Sequence, residues 1–479
     1  MSTVSSLGVG SNLDLSGLLD KLAAAESAPL VALQKQQVSY TAKLSAYGTL
    51  QSVLSNFQAA ATKLSSATLF QGATAASSAP DVLGASADAT AVAGSYAVSI
   101  TQLAQAQSLV SSGVASTTSA IGAGGATTVT VGFGSITGTL NTTTGTYNAG
   151  ATFAADAARP AVVLTINSTN NTLAGIRDAV NKTTGIGVTA SIVNDGTTNR
   201  LVLTSTTTGQ KSSMRISVSG DAALGTLLAN DPAGTQNFRQ TATATDAALT
   251  VSGIAVTSAT NTVVASVQGV TMTLAKIGSS TLTVSRDTAS VESAVGAFVT
   301  AYNSLQSTAS QLSMYNVANK SGAALVGDST LRSIQTGIRS ALNTPQAGTL
   351  KVLSSVGVSF QKDGTIAFDA AKLRSAFASN RDDVVALFAG TGGNTGYGTQ
   401  MAALVGTFIG TDGKLSNATA GVKATLKSLD TRYATTQVSV EAKVARYRAQ
   451  FTQLDMMMSK MNATTSYLTS QFNAMNPSK

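Results

Sequence analysis

From about Val422 to Phe472 the larger apolar residues recur in steps that alternate between four and three. They are Val422, Leu426, Leu429 and Tyr433, then Val440, Val444, Tyr447, Phe451, Leu454, Met458, Met461, Leu468 and Phe472. With Thr436 and Thr465 in the two vacant positions, this is the narrow stripe of a helix that buries one face. The steps through Thr436, Val440 and Val444 are four and four, a stutter that unwinds a supercoil locally without breaking the helix. No Pro or Gly lies between Val422 and Ala474, so the helix would be roughly 75 Å long. That length cannot be buried within one ordinary domain, and the stripe requires a partner helix.

The other end of the chain offers one. After Pro29, a residue suited to a helix's first turn, come Leu30, Leu33, Tyr40, Leu44, Tyr47, Leu54, Phe57, Ala61 and Leu64. With Gln37 and Gln51 filling two positions, the same alternation returns. The two seams predict an antiparallel pairing of the first and last segments, with the rest of the chain inserted between them. Upstream, Ser11-Asn12-Leu13-Asp14 offers a cap for a short helix carrying Leu15, Leu18, Leu19 and Leu22. Gly8-Val9-Gly10 before it is a flexible lead. As a phosphate loop it lacks a preceding strand and a following Gly-Lys-Ser/Thr.

After Phe70 the chain becomes rich in Ala, Ser, Thr and Gly, and the period falls to two. Tyr96, Val98 and Ile100 alternate with small or polar residues, as do Leu201 and Leu203, Leu249 and Val251, Ile254 and Val256, Val270, Met272 and Leu274, and Leu282 and Val284. This predicts antiparallel β-structure to about Arg286, interrupted by one short helix at Leu173–Val180. The Gly/Thr-rich stretch Ser111–Gly150 reads as an exposed hairpin region or loops. Helical spacing resumes at Ala289 through Val291, Val295, Phe298, Tyr302 and Leu305, and again around Leu331, Ile334, Ile338 and Leu342. Val358–Phe360 and Ile366–Phe368 form a predicted hairpin across Lys362-Asp363-Gly364. Helices around Leu373 and Leu387 follow, with Gly390–Gly398 as a loop. The fold class is therefore α+β and multidomain.

Composition narrows the chemistry. The 479 residues contain no Cys, His or Trp, which excludes disulfides, thiolate metal sites and thiol nucleophiles and removes the usual base near neutral pH. No apolar run reaches transmembrane length, and the first residues lack the pattern of a cleaved signal peptide. The net charge is +8, and its excess sits on the last helix at Lys423, Lys427, Arg432, Lys443, Arg446, Arg448 and Lys460. These alternate with the seam and read as a solvated or partner-facing surface rather than a nucleic-acid stripe, since no stacking aromatics accompany them. Asp382-Asp383 reads as a helix start rather than a metal site. Arg177-Asp178 reads as a surface pair, and sequons such as Asn141 and Asn462 follow from composition. No nucleophile is fixed beside a base, so no enzyme and no cofactor is expected.

Several stretches, in order, resemble one family. Gly8–Leu30 (GVGSNLDLSGLLDKLAAAESAPL), Ser95–Leu109 (SYAVSITQLAQAQSL), Ile176–Asn181 with Arg200–Ser205, Val251-Ser252-Gly253-Ile254 with Asn261-Thr262 and Gly269-Val270-Thr271, Phe298-Val299 with Tyr302-Asn303, Leu325–Ser329 and Asp363–Ile366 together resemble the bacterial flagellar filament-capping family, also called hook-associated protein 2. The resemblance runs end to end. It implies a terminal helical leg (1–45 with 435–479), a helical bundle with a small β-hairpin (46–75 with 288–434), an inner β-rich head (76–115 with 240–287) and an outer β-rich head with a flagellin-type insert repeat (116–239). It also implies export through the flagellar type III secretion channel without a cleaved signal peptide, and assembly at the distal filament tip as a homo-oligomeric ring, a pentamer or hexamer. That ring would promote flagellin insertion and prevent leakage. The implied partners are flagellin, hook–filament junction proteins, an export chaperone and, in a second role, host mucin or glycans, with no nucleic acid and no membrane insertion. The candidate functional residues are the N-terminal seam Leu30, Leu33, Tyr40, Leu44, Tyr47, Leu54, Phe57 and Leu64, and the C-terminal seam from Val440 to Phe472 as the docking face for flagellin or chaperone. Met456-Met457-Met458 suits adaptable docking; the plainer reading is that Met458 and Met461 fill the intramolecular seam. The rival functions are a junction or flagellin-like lattice protein, and a surface adhesin using the β-rich head.

Overall fold

Asp14 starts the first helix, its carboxylate accepting the Gly17 backbone N–H at 2.8 Å. The computed structural model describes Leu7 and residues 13–475; the Ser11-Asn12 cap candidates and the Gly8-Val9-Gly10 lead lie outside the described residues. The helices are α1 (Leu15–Leu64), α2 (Leu173–Lys182), α3 (Ala222–Leu228), α4 (Thr288–Ser313), α5 (Ser329–Asn343), α6 (Ala370–Ser379), α7 (Arg381–Phe388), α8 (Tyr397–Ile409) and α9 (Lys414–Met475). The chain divides into two compact units, residues 1–70 with 288–479, and residues 71–287.

Pro29 does not open a second helix, because it lies inside a continuous α1. An interior proline forfeits one backbone hydrogen bond and costs about 3 kcal/mol. Leu19 and Leu33 on either side are nearly fully buried, and each such burial returns about 1.5–3 kcal/mol, enough to carry the helix through.

In the first unit, the second half of α1 is the axis of a bundle rather than part of the leg. Tyr47, Leu54, Phe57 and Leu64 join α4–α8 and the start of α9 in one apolar core. Phe57 packs on Phe298 at 5.1 Å and on Tyr302 at 6.0 Å between ring centroids. Gly398 permits α8 to meet α1, since a Cβ there would sit 2.8 Å from the Leu64 carbonyl carbon. The hairpin Val358–Phe360/Ile366–Phe368 forms as its alternation predicts. Asn303 of α4 pins it, donating to the Ile366 carbonyl and accepting its N–H, both at 2.8 Å. Asp382 and Asp383 occupy the first turn of α7, where acids favour the helix dipole.

The second unit is wholly antiparallel in its ladders and has two apolar cores. One lies within a five-stranded sheet, in spatial order Ala73–Ser77, Gly278–Arg286, Gly94–Gln102, Ala247–Val251, Ile254–Ser258, and a three-stranded sheet of Thr262–Val267, Val270–Leu274 and Leu83–Ala87. Residues 73–75, expected with the bundle, pair instead with 284–286; their small alternating side chains suit a strand. Ser252 and Gly253, both at positive φ (51° and 85°), make the two-residue turn that a tight hairpin needs. The other core gathers Val129, Val131, Phe133, Leu164, Ile176, Leu201, Leu203 and Phe238. Its central strand, Thr127–Thr137, falls where an exposed hairpin region or loops were expected. It pairs with Ser213–Ser219 on one side and with Val162–Ile166 and Thr152–Ala155 on the other. The Thr and Gly residues that read as loop are the alternate positions of an eleven-residue strand. A second short helix, α3, was missed because Gly225 sits in its middle; Asp221 caps it.

Candidate functional site

The first half of α1 runs antiparallel to α9, and three polar contacts set the register. Gln37 donates to Asp430 at 2.7 Å. Glu26 is held by two residues of α9 at once, Lys443 at 2.8 Å and the Tyr447 hydroxyl at 3.1 Å. The Lys443 ammonium and then the Tyr447 hydroxyl bond the Glu26 carboxylate and hold it below the usual range, and the same contact raises Lys443. Along the two helices Leu33 of α1 and Leu429 and Val440 of α9 are buried, and Leu30, Tyr40, Leu44, Val444, Tyr447 and Phe451 are half-buried. Gln51, a proposed seam filler, is exposed; Leu50 beside it is fully buried. Thr436 sits in an unbroken helix, so the stutter leaves α9 continuous.

A second polar node ties α1 to the bundle. Asp328, the N-cap of α5, takes the Leu331 N–H at 3.0 Å, the Tyr47 hydroxyl at 2.7 Å and the Lys43 ammonium at 2.8 Å. Burial pushes its carboxyl up, but the bonds from Lys43, Leu331 and Tyr47 outweigh that and hold it low. The sequence signal was present, a Gly-Asp-Ser just before the periodic Leu331 and Ile334, yet nothing in it pointed across 281 residues to Tyr47.

Antiparallel geometry fixes where the pairing stops. Glu26 lies opposite residues 443–447, so Leu15, the first residue of α1, falls opposite roughly residues 454–458. The last turns of α9 therefore have no partner helix among the described residues, and residues 459–475 are exposed throughout. Of the two methionines that could fill the intramolecular seam, Met458 is half-buried and Met461 is exposed. Beyond Met458, Met461 (53% exposed), Leu468 (48%), Phe472 (64%) and Met475 (74%) continue the stripe toward solvent, and Leu454 is 40% exposed. The helix persists there because propagation from a paired segment carries no nucleation cost. Thr464, Thr465 and Thr469 also return hydroxyl bonds to the preceding turn. Lys460 is its one described charge. The product is an amphipathic helix about 25 Å long that presents an apolar face to nothing among the described residues.

Known proteins share this chain's sequence and architecture. Residues 11–107 match the family model for the N-terminus of flagellar hook-associated protein 2, and residues 244–463 match the model for its C-terminus. Flagellar hook-associated protein 2 of Escherichia coli is 38% identical over 98% of both chains. That of Salmonella typhimurium is 38% identical over the whole of both. The B-type protein of Pseudomonas aeruginosa is 32% identical over 95% of this chain and 94% of its own. A crystal structure of the flagellar cap protein FliD from Escherichia coli covers 79% of this chain and 99% of its own, with TM-score 0.64 and 35% identity.

Proposed function

The chain belongs to the flagellar hook-associated protein 2 family, and we propose a specific way in which it caps the distal end of the flagellar filament. Copies of the chain close into a homo-oligomeric ring, and the free end of α9 is the foot by which each copy grips the filament. The observation that carries this reading is the exposed stripe Met461, Leu468, Phe472 and Met475, continuous with a stripe that α1 covers. Its partner at the tip is a terminal helix of flagellin. Before export the same face is shielded by the export chaperone, and the chain leaves through the flagellar secretion channel. The β-rich residues 71–287, which hold two separate apolar cores, form the plate under which incoming flagellin is retained. The work is mechanical, and no bond is made or broken.

Magnitudes explain why such a foot would be repeated around a ring. Burying four large apolar side chains returns roughly 6–12 kcal/mol gross, against an association cost of roughly 4–15 kcal/mol. One foot alone is marginal and can let go as the filament grows. Several feet on one ring hold together, because each bound foot raises the effective concentration of the next. The test is end-labelling of polymerised flagellin with fluorescent protein. The unaltered chain is expected to decorate one end of each filament. A chain carrying Met461→Ser, Leu468→Ser and Phe472→Ser should fold and oligomerise but leave filament ends dark; equal labelling by this variant would refute the proposed role of the stripe.

A further inference from the structure

Half of the chain's ten methionines, Met456, Met457, Met458, Met461 and Met475, lie on the last turns of α9. Met458 is half-buried, and the other four are each more than half exposed. Met214, Met272 and Met401 give the contrast, one in each apolar core and fully buried. Met457 precedes Met461 by about one turn and Met475 follows it by about four, so all three share the face of Leu468 and Phe472. Met456 falls on another face of the helix. Met314, also exposed, lies just past α4.

The chain has no Cys, His or Trp, so a peroxide meets sulfur only as thioether. Access then decides which thioethers react. We propose that Met457, Met461 and Met475 form a site of oxidative modification by hydrogen peroxide, and that their oxidation loosens the foot from the filament. This inference rests on the reading of the free end of α9 as the foot. A thioether lone pair attacks one peroxide oxygen, so that an S–O bond forms as the O–O bond breaks. Sulfur gives up two electrons and the peroxide takes them; the departing hydroxide removes the proton of the new S–OH and leaves as water. Each sulfoxide sets a strong polar acceptor in the stripe, and burying it against an apolar partner without a donor is costly. Leu468 and Phe472 are then the intact part of each foot. Because a ring binds through several copies at once, the loss at each copy multiplies. The step is reversible by methionine sulfoxide reductases.

The experiment treats the full chain with hydrogen peroxide, removes the oxidant, and maps oxygen uptake by peptide mass spectrometry before the filament end-labelling assay. Met457, Met461 and Met475 should each gain one oxygen well before Met214, Met272 and Met401. The oxidised chain should label filament ends at least about tenfold less, with its circular dichroism and melting temperature unchanged. A chain carrying Met457→Leu, Met461→Leu and Met475→Leu keeps the apolar face without its sulfur, and should label ends equally before and after peroxide. A chain carrying Met314→Leu and Met456→Leu should stay sensitive. Stripe methionines that oxidise no faster than the buried ones, undiminished labelling by the oxidised chain, or equal loss in the triple Leu variant would each overturn the proposal. Ends left dark by the untreated chain would instead refute the foot itself, and the switch with it.

Discussion

Replacing Asp328 with Ala should destabilise the helical unit by about 3 kcal/mol, a sum of three separate losses. The N-cap bond to Leu331 contributes about 1 kcal/mol. The Tyr47 hydroxyl, on a residue only 2% exposed, would be stranded at a cost of about 1–3 kcal/mol. Lys43 is a third exposed, so losing its ion pair costs only about 0.2–1 kcal/mol. Asp328→Asn keeps the cap and an acceptor for Tyr47, and should cost about 1 kcal/mol. Tyr47→Phe removes the buried hydroxyl, so adding it to Asp328→Ala should cost less than the two changes summed, a non-additivity of 0.5 kcal/mol or more, roughly the size expected of residues in contact. Urea unfolding followed by helix circular dichroism measures all four. A cost below about 0.5 kcal/mol for Asp328→Ala, or strict additivity with Tyr47→Phe, would show that this node does not anchor α1 to α5.

Two further outcomes follow from α1. Pro29→Ala should raise the thermal stability of the leg, by up to about 3 kcal/mol locally, because the helix is continuous there; a neutral or destabilising effect in thermal melts would mean that Pro29 opens a helix, as its position in the sequence suggested. Glu26 has a depressed pKa when folded, so its contribution is complete above its unfolded value of 4.5 and fades as pH falls through the lower folded value. Lys443 is raised, so its share is complete below 10.5 and fades as pH climbs through the higher folded value. The melting difference between the unaltered chain and Glu26→Gln should therefore be flat across the neutral range and shrink in acid. A difference that grows in acid would contradict the clamp.

Much of the fold was legible because helices and strands write different periods into the chain. The stripe of α9, the bundle helices around Phe298 and Ile334, and the hairpin Val358–Phe360/Ile366–Phe368 were all readable from spacing alone. Pro29 misled because local propensity cannot see Leu19 and Leu33 being buried on either side. Thr127–Thr137 was hidden because Thr and Gly at its alternate positions look like loop until partners on both sides are known. The seam itself shows the limit of periodicity. Spacing reports which face of α9 is apolar, but only the starting point of α1 reveals that Met458 is covered while Phe472 is not. Likewise Glu26 with Lys443, 417 residues apart, is a contact that no local pattern encodes.

Mass photometry of the full chain beside a version lacking residues 1–45 and 435–479 tests the central claim most directly. A closed ring whose copies cooperate through paired terminal helices predicts one discrete, concentration-stable oligomer for the full chain, lost or weakened in the trimmed one. A full-length chain that stays monomeric at high concentration, or that grows into open filaments, would contradict the account and favour a lattice protein of the junction or flagellin kind.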